Sequence, residues 1–145
     1  SRKPRLSPRP ETTIDRDAVA DALSDGANVL VHSLSAAQFA GSGGQVYGRP
    51  GRIPGSINIP AAALLDPQTG RFQPVEVMQK MFSEAGLDRA RTIIPYCGGG
   101  IAATTVFLGL AVAGYENLRL YDGSLLDWTA DPEAPMVTDT DTTGA

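Results

Sequence analysis

The sequence predicts a single α/β domain with a parallel sheet, and three observations support this. Short apolar runs alternate along the chain with longer segments whose apolar residues recur at helical spacing. Strands separated by helices pair in parallel, because each helix returns the chain to the same end of the sheet. The 145 residues are 42% hydrophobic, which suits one packed domain and excludes disorder throughout the chain.

Four segments are predicted to be helical. Ser35 is a candidate N-cap for the second segment, and Pro74 suits the opening of the third. Glycines follow the first, third and fourth segments, as is common just beyond a helix C-terminus. The predicted helices cover 15–24, 36–40, 74–85 and 101–113.

Four short apolar runs are predicted to be strands. Pro60 ends the second of them, and Pro95 lies within the third, where it removes a backbone N–H donor. The glycine-rich stretch 41–54 is predicted to be a loop. The predicted strands cover 28–32, 56–59, 92–96 and 118–121.

The chain divides into three parts. Residues 1–12 are expected to form an extended linker, because prolines alternate there with four of the twelve basic residues. Residues 13–132 are expected to form the folded domain. Residues 133–145 are expected to form an acidic flexible tail, since no basic residue follows Arg119 while acidic residues continue.

The body of the protein is acidic. From residue 10 onward the chain carries 8 basic and 16 acidic residues, which argues against a nucleic-acid-binding surface. The most apolar run, 106–113, is far shorter than the roughly 20 residues that cross a bilayer. The first ten residues lack the apolar stretch of a signal peptide. We therefore expect a cytoplasmic protein that contacts neither nucleic acid nor membrane.

The chain contains one cysteine and one histidine. An intrachain disulfide is impossible, and a zinc site built from Cys and His ligands is excluded. An enzyme of the Cys-His or Ser-His-Asp type would have to use His32. Otherwise Cys97 acts without a histidine, or it is a buried apolar residue.

Cys97 directly follows a predicted strand and precedes three glycines and a helix. In an α/β sheet, ligands bind beyond the carboxyl ends of the strands. Glycines allow successive backbone N–H groups to point inward, and the helix N-terminus adds a positive potential. Both effects favour a nucleophilic thiolate, which needs no general base. The alternative is that Cys97 packs in the core and the glycines form a tight turn.

Other chemistries of glycine-rich and cysteine loops do not fit this segment. A cysteine-dependent phosphatase needs an arginine six residues after the cysteine, where this chain has Ala103. A Cys-x-x-Cys redox pair is impossible with one cysteine. A P-loop is excluded because no Gly-Lys-Ser/Thr follows the glycines.

Three segments together resemble rhodanese-like sulfurtransferases. The stretch Gly51-Arg-Ile-Pro-Gly-Ser-Ile-Asn-Ile-Pro60 is similar to the Gly-His-Ile-Pro-Gly-Ala-x-Asn-x-Pro signature of that family. Tyr96-Cys-Gly-Gly-Gly-Ile-Ala-Ala103 resembles its active-site loop, and Tyr121-Asp-Gly-Ser124, with Trp128 after it, resembles its closing motif. The segments occur in the family's order and spacing over residues 13–132.

The resemblance implies a central five-stranded parallel sheet flanked by helices. It also implies sulfur transfer from an anionic donor, thiosulfate or 3-mercaptopyruvate, to an acceptor such as cyanide or a thiol. Cys97 is implied as the catalytic nucleophile that carries the sulfur as a persulfide, with no metal and no cofactor. The residues implied to bind the substrate are Gly98, Gly99, Gly100, Ile101, Ala102 and Ala103.

The sequence departs from the family pattern around the donor. The family usually has Asp-x-Arg where this chain has His32-Ser33-Leu34, so an arginine for an anionic donor is absent. The loop has no Arg or Lys, and Gly99 and Ala102 stand where mercaptopyruvate-type loops have hydroxyl side chains. Arg52 replaces the family histidine. Arg52 and Arg49 are the candidate substrate-binding cations, and the alternative for each is a solvated surface role. We expect His32 to be a structural replacement for the aspartate.

Two expectations concern the wider protein. The basic N-terminus resembles the linker before the second domain of tandem rhodaneses, so we expect this to be a C-terminal catalytic domain whose partner is a preceding rhodanese domain. The altered donor positions leave a second interpretation open. In it, the chain is a non-catalytic or regulatory binding module with the same fold.

Overall fold

The computed structural model describes residues 12–140. Within them the chain forms helices α1 to α5, strands β1 to β3 and one short 3-10 helix. In chain order these are α1 (Arg16–Ala22), β1 (Asn28–His32), α2 (Ala36–Ala40), β2 (Ile57–Asn58), the 3-10 helix (Ala61–Leu64), α3 (Val75–Glu84), β3 (Thr92–Tyr96), α4 (Ile101–Val112) and α5 (Ser124–Trp128).

The described residues form a three-stranded parallel sheet in the order β2-β1-β3. Strand β1 lies in the centre, and its register runs from Asn28 opposite Thr92 to His32 opposite Tyr96. The five-stranded sheet implied by the resemblance is therefore wrong for this structure. The predicted strand at 118–121 is also wrong, because this segment makes only isolated parallel bridges, Leu118 to Ile93 and Leu120 to Thr13.

Pro95 explains why the 118–121 segment is not a regular strand. The Ile93 N–H donates to the Asn117 carbonyl, and the Arg119 N–H donates to the Ile93 carbonyl. Pro95 lies two residues further along β3. Its carbonyl accepts from the Tyr121 N–H, but proline has no N–H of its own with which to donate a hydrogen bond to the 118–121 segment. The ladder between β3 and this segment is therefore interrupted at the proline.

The helices begin largely where local signals predict. Asp15 caps α1, its carboxylate accepting from the Ala18 N–H at 2.9 Å. Ser35 and Gln38 form a capping box at α2, which confirms Ser35 as the N-cap. Pro74 lies just outside α3 as its N-cap residue. Helix α5 and the 3-10 helix were not predicted, because each is too short to show a helical period and neither has a capping side chain like Ser35 of the equally short α2.

Two apolar clusters lie on opposite faces of the sheet. Val29 and Val31 of β1 belong to one cluster with residues of α3 and α4, and Leu30 belongs to the other with residues of α1 and α5. This alternation follows from the two-residue period of a strand. The structure thus has an α/β fold with helices on both faces of the sheet.

Part of the predicted tail packs against the domain. Ala134 is 7% exposed, and the Trp128 indole N–H donates to the Pro135 carbonyl at 2.9 Å. Val137 pairs with Arg52 in an antiparallel bridge. Residues 133–140 are therefore not a free tail. The prediction followed the acidic residues of this segment and gave no weight to the apolar residues that pack against the domain. Residues 1–11 of the predicted linker and 141–145 of the tail lie outside the described residues.

Among residues 12–140, no helix has the length and apolar character needed to cross a membrane.

The packing of 133–140 predicts the effect of truncation. Ending the chain after residue 132 removes the Pro135 acceptor and exposes apolar surface on Trp128, so the free energy of unfolding should fall by about 1–3 kcal/mol. Ending it after residue 140 retains every one of these contacts and serves as the control. Urea denaturation measures both. Equal stability of the two truncated chains would contradict the packing described.

Candidate active site

Cys97 lies at the carboxyl end of β3 and is 2% exposed. Its sulfur accepts a hydrogen bond from the Gly100 N–H at 3.0 Å. Gly100 is the N-cap of the twelve-residue helix α4 and has φ +108°. The sulfur therefore faces a backbone donor and the positive end of a helix dipole, and both stabilise negative charge on it.

The glycine loop is anchored from behind by α5. The Leu125 N–H donates to the Cys97 carbonyl at 2.8 Å, and the Leu126 N–H donates to the Gly98 carbonyl at 3.0 Å. In a trans peptide the C=O and the next N–H point in opposite directions. The N–H groups of Gly98 and Gly99 therefore point away from α5, on the side that can meet a ligand.

Two of the three loop glycines are required by close approaches. A Cβ on Gly98 would lie within 2.5 Å of the Tyr47 ring, so this ring rests on the loop backbone. A Cβ on Gly100 would lie 2.8 Å from the Asp122 carbonyl, and its φ of +108° already favours glycine. The loop is thus held between Tyr47 and the segment before α5.

Ser124 fixes the backbone of the cysteine. It is 0% exposed, and its hydroxyl accepts from the Cys97 N–H and donates to the Tyr121 carbonyl, both at 2.9 Å. The same oxygen lies 3.8 Å from the Cys97 sulfur. Ser124 has φ +57°, a left-handed conformation that only this non-glycine residue adopts in the described part of the chain. Such strain persists where surrounding contacts hold it, here beside Cys97.

The sulfur opens onto a pocket of about 350 Å³. No charged side chain among residues 12–140 lines it, so its polar groups are the thiol and the loop backbone, together with Tyr47. A second groove continues from it across Leu34 and Ala102 towards the 3-10 helix. The residues lining the first pocket are Leu34, Tyr47, Cys97, Gly98, Gly99, Ile101 and Ala102.

The structure gathers most of the residues predicted for the site. Gly98, Gly99, Ile101 and Ala102 line the pocket with the cysteine, and Gly100 donates to its sulfur. The structure places Ala103 in the core beneath, packed with Phe107 and Leu120.

Arg52, predicted as a substrate-binding cation, lies elsewhere. Its guanidinium donates to the Phe39 carbonyl at 3.0 Å and to Asp139 at 2.8 Å, and it stacks on the Phe39 ring. The carboxylate and the ring hold this side chain away from the pocket of Cys97. The prediction is corrected on this point, because partners distant in sequence engage the cation.

Two side chains of the site escaped prediction. Tyr47 lies in a glycine-rich loop and carries no pattern that would place it over the cysteine. Ser124 belongs to the recognised closing motif, and that membership was the only available signal. Its role depends on its contact with Cys97 across 27 residues.

His32 is 0% exposed and does not line the pocket of Cys97. Its Nδ1 accepts from the Leu34 N–H at 3.4 Å, and its ring packs edge-on against Phe39 and Tyr96. Burial lowers the pKa of His32 to about 4; the nearby Gly51 carbonyl opposes this and the charge of Arg52 adds to it. The imidazole is therefore neutral at pH 7.

A family model described as the rhodanese-like domain matches residues 15–131. The chain belongs to the rhodanese-like domain family.

Curated relatives of this rhodanese-like domain are named as sulfurtransferases. The 3-mercaptopyruvate sulfurtransferase of Rattus norvegicus is 37% identical over 86 residues, which are 58% of this chain and 29% of that protein. Thiosulfate/3-mercaptopyruvate sulfurtransferase 2 of Arabidopsis thaliana is 30% identical over 131 residues, 89% of this chain and 38% of that protein. The chain thus spans about a third of the length of these relatives.

Solved structures confirm the fold of the rhodanese-like domain. The anaerobic ergothioneine biosynthesis enzyme from Chlorobium limicola, in complex with trimethyl histidine, superposes with a TM-score of 0.79 at 23% identity. A structure of EanB in complex with ergothioneine superposes with a TM-score of 0.80 at 24% identity. Each alignment covers 90% of this chain and 32% of the other.

The contacts of Ser124 predict that two substitutions differ in stability. Ser124→Ala and Ser124→Gly both leave the buried Cys97 N–H without its acceptor, which costs about 1–3 kcal/mol. Glycine also relieves the left-handed strain, which costs about 1–2 kcal/mol for other residues. The glycine variant should therefore be more stable than the alanine variant by about 1 kcal/mol in urea denaturation. An alanine variant as stable as the glycine variant would contradict a strained Ser124.

The lowered pKa of His32 predicts a loss of stability in acid. The pKa is about 4 when folded and about 6.5 when unfolded, so the unfolded state gains the proton first as the pH falls. The contribution of the buried neutral imidazole to the free energy of unfolding is therefore full above pH 6.5 and is lost progressively towards pH 4. Between pH 7 and 5, in buffer without chloride, the free energy of unfolding should fall by about 2 kcal/mol from this cause.

His32→Phe is the control for this pH dependence, because it keeps a ring and removes the titration. Carboxylates act in both proteins and cancel in the comparison. Urea denaturation at pH 7 and 5 should show the smaller drop in the variant. Equal drops in both proteins would show that His32 is not buried as a neutral group.

Proposed function

We propose that the chain is a sulfurtransferase that moves a sulfane sulfur from a small donor, through a persulfide on Cys97, to a thiophilic acceptor. The observation that carries the proposal is the hydrogen bond from Gly100 to the Cys97 sulfur at the floor of an open pocket. Membership of the rhodanese-like family and the names of its relatives support it.

The reaction needs only one thiolate and a ring of backbone donors. The Cys97 thiolate attacks the outer sulfur of the donor, and an S–S bond forms. With thiosulfate the donor S–S bond breaks and sulfite leaves with the electron pair; with 3-mercaptopyruvate the C–S bond breaks and pyruvate leaves after taking a proton. Cyanide then attacks the outer sulfur, thiocyanate leaves, and the thiolate returns. This is covalent catalysis in two half-reactions.

The neutral lining of the pocket favours 3-mercaptopyruvate over thiosulfate. Thiosulfate brings two negative charges to a pocket whose donors are backbone N–H groups, whereas 3-mercaptopyruvate brings a single carboxylate. Leu34 lines this pocket, at the position where the family usually has an arginine. Desolvating a second charge without a cation costs free energy. The 3-mercaptopyruvate carboxylate is the donor group that these N–H groups can satisfy.

Mass spectrometry of the intact protein tests the proposal. After incubation with 3-mercaptopyruvate or thiosulfate, the mass should rise by about 32 Da, one sulfur atom, and cyanide should remove the increment. Cys97 is the only cysteine of the chain, so the adduct has one possible site. Cys97→Ser is the control and should gain no sulfur. A wild-type protein that takes sulfur from neither donor would overturn the proposal.

A substitution at Leu34 tests the origin of the donor preference. Leu34→Arg adds a cation to the pocket and should raise the rate with thiosulfate, relative to the rate with 3-mercaptopyruvate, by about tenfold at low salt. Using the ratio within one protein cancels any loss of folded enzyme. Val112→Arg, on an exposed site near the far end of α4, is the matched control and should leave the ratio unchanged. An unchanged ratio in Leu34→Arg would contradict the electrostatic account.

A second candidate function is a binding or regulatory module with the same fold. The observation that favours it is the engagement of Arg52 by Asp139, which leaves the pocket without a cation. We propose, on either view, that a preceding rhodanese domain is the partner, because the chain spans only about a third of its relatives. Absence of persulfide with both donors, together with an intact fold, would favour the module.

A further inference from the structure

A small cavity lies beneath the glycine-rich loop and is distinct from the pocket of Cys97. Its volume is about 60 Å³, whereas a single water requires only about 10–15 Å³ of such space. His32 and Leu125 line it on the side of the domain, and residues of the 41–51 loop line it on the other. The cavity can therefore hold a small occupant.

His32 brings an unpaired donor to this cavity. Its Nδ1 accepts from the Leu34 N–H, so the ring proton lies on Nε2. Nε2 is buried and makes no well-formed hydrogen bond among residues 12–140; the Gly51 carbonyl lies near the ring but outside hydrogen-bond geometry. A buried donor without a partner costs about 1–3 kcal/mol. An occupant that accepts this hydrogen bond would recover that cost.

Arg49 brings a second unpaired donor and a positive charge. Its Nη2 donates to the carbonyls of Asp131 and Ala134, while its Nε is buried without a partner in the described part of the chain. No described carboxylate forms a salt bridge with Arg49, and neither Asp nor Glu lines the cavity. The charge of Arg52 also acts on His32. The cavity thus combines two N–H donors with a positive potential.

We propose that this cavity is a binding site for a small inorganic anion of about the size of a halide, held between His32 Nε2 and Arg49 Nε. An anion accepts both hydrogen bonds and balances the guanidinium charge. Water could accept both bonds, but it would leave the charge of Arg49 uncompensated.

The anion site adjoins the active site. Leu34 and Tyr47 line both the cavity and the pocket of Cys97. Leu125 lines the cavity, and its N–H holds the Cys97 carbonyl. An anion in the cavity therefore lies one side chain away from the reacting sulfur. The proposal does not depend on sulfur transfer, since neither the donors nor the cavity take part in that reaction.

Nuclear magnetic resonance of the single histidine tests the proposal in solution. The chain contains one histidine, so the ¹⁵N and ¹H signals of its ring need no assignment. Chloride should shift the His32 Nε2–H signal at pH 7 with a saturating curve, while gluconate at equal ionic strength, too large to enter, should not. A shift that is absent, or the same with both anions, would overturn the proposal.

Two matched variants link the effect to Arg49. Arg49→Lys keeps the charge and removes the Nε–H, and it should raise the dissociation constant for chloride about tenfold. Arg91 also has a buried Nε with no partner among residues 12–140, but it does not line the cavity, so Arg91→Lys should leave the dissociation constant unchanged. Equal dissociation constants in both variants would exclude Arg49 as a ligand.

Crystals grown or soaked in bromide give a direct view of the occupant. An anomalous difference peak should lie within hydrogen-bond reach of His32 Nε2 and Arg49 Nε. Water alone at that position, or a bromide peak in crystals with no chloride-dependent signal in solution, would overturn the proposal.

Discussion

The anchoring of the Cys97 loop by α5 is the constraint on which the rest of the site depends. Leu125 and Leu126 donate to the carbonyls of Cys97 and Gly98, and Ser124 accepts from the Cys97 N–H. With its carbonyls held from behind, the loop presents N–H groups on the other side, and Gly100 directs one at the sulfur. The left-handed Ser124 is tolerated because its hydroxyl satisfies two buried backbone groups at once.

The electrostatics of the site come from backbone rather than from side chains. A thiolate beside N–H groups and a helix N-terminus needs no lysine or arginine, and none lines the pocket. The two arginines of the 41–54 loop make hydrogen bonds away from the pocket of Cys97. Arg52 ties this loop to α2 and Asp139, and Arg49 ties it to the segment after α5. Neither arginine lines the pocket of Cys97, and the charge of Arg52 acts on His32 instead.

Much of the fold was predictable because it depends on local signals. Neighbouring residues in the sequence are enough to predict the capping box at Ser35 and the helix that begins after Gly100. The predicted strand at 118–121 is wrong, because the missing N–H of Pro95 interrupts the pairing of whichever segment lies beside it, and the sequence does not show which segment that is. Pairing across a sheet is non-local, and composition does not reveal it.

The sequence alone placed Cys97 and its glycine loop between a strand and a helix, because each of these elements is marked by adjacent residues. It also determined the family, through three short motifs. Only the tertiary structure decided that Tyr47 covers the loop, that Arg52 is engaged by Asp139, and that 133–140 packs against the domain. The physical reason is sequence separation. Contacts between residues dozens of positions apart form only when the core brings the elements together, and no local pattern encodes them.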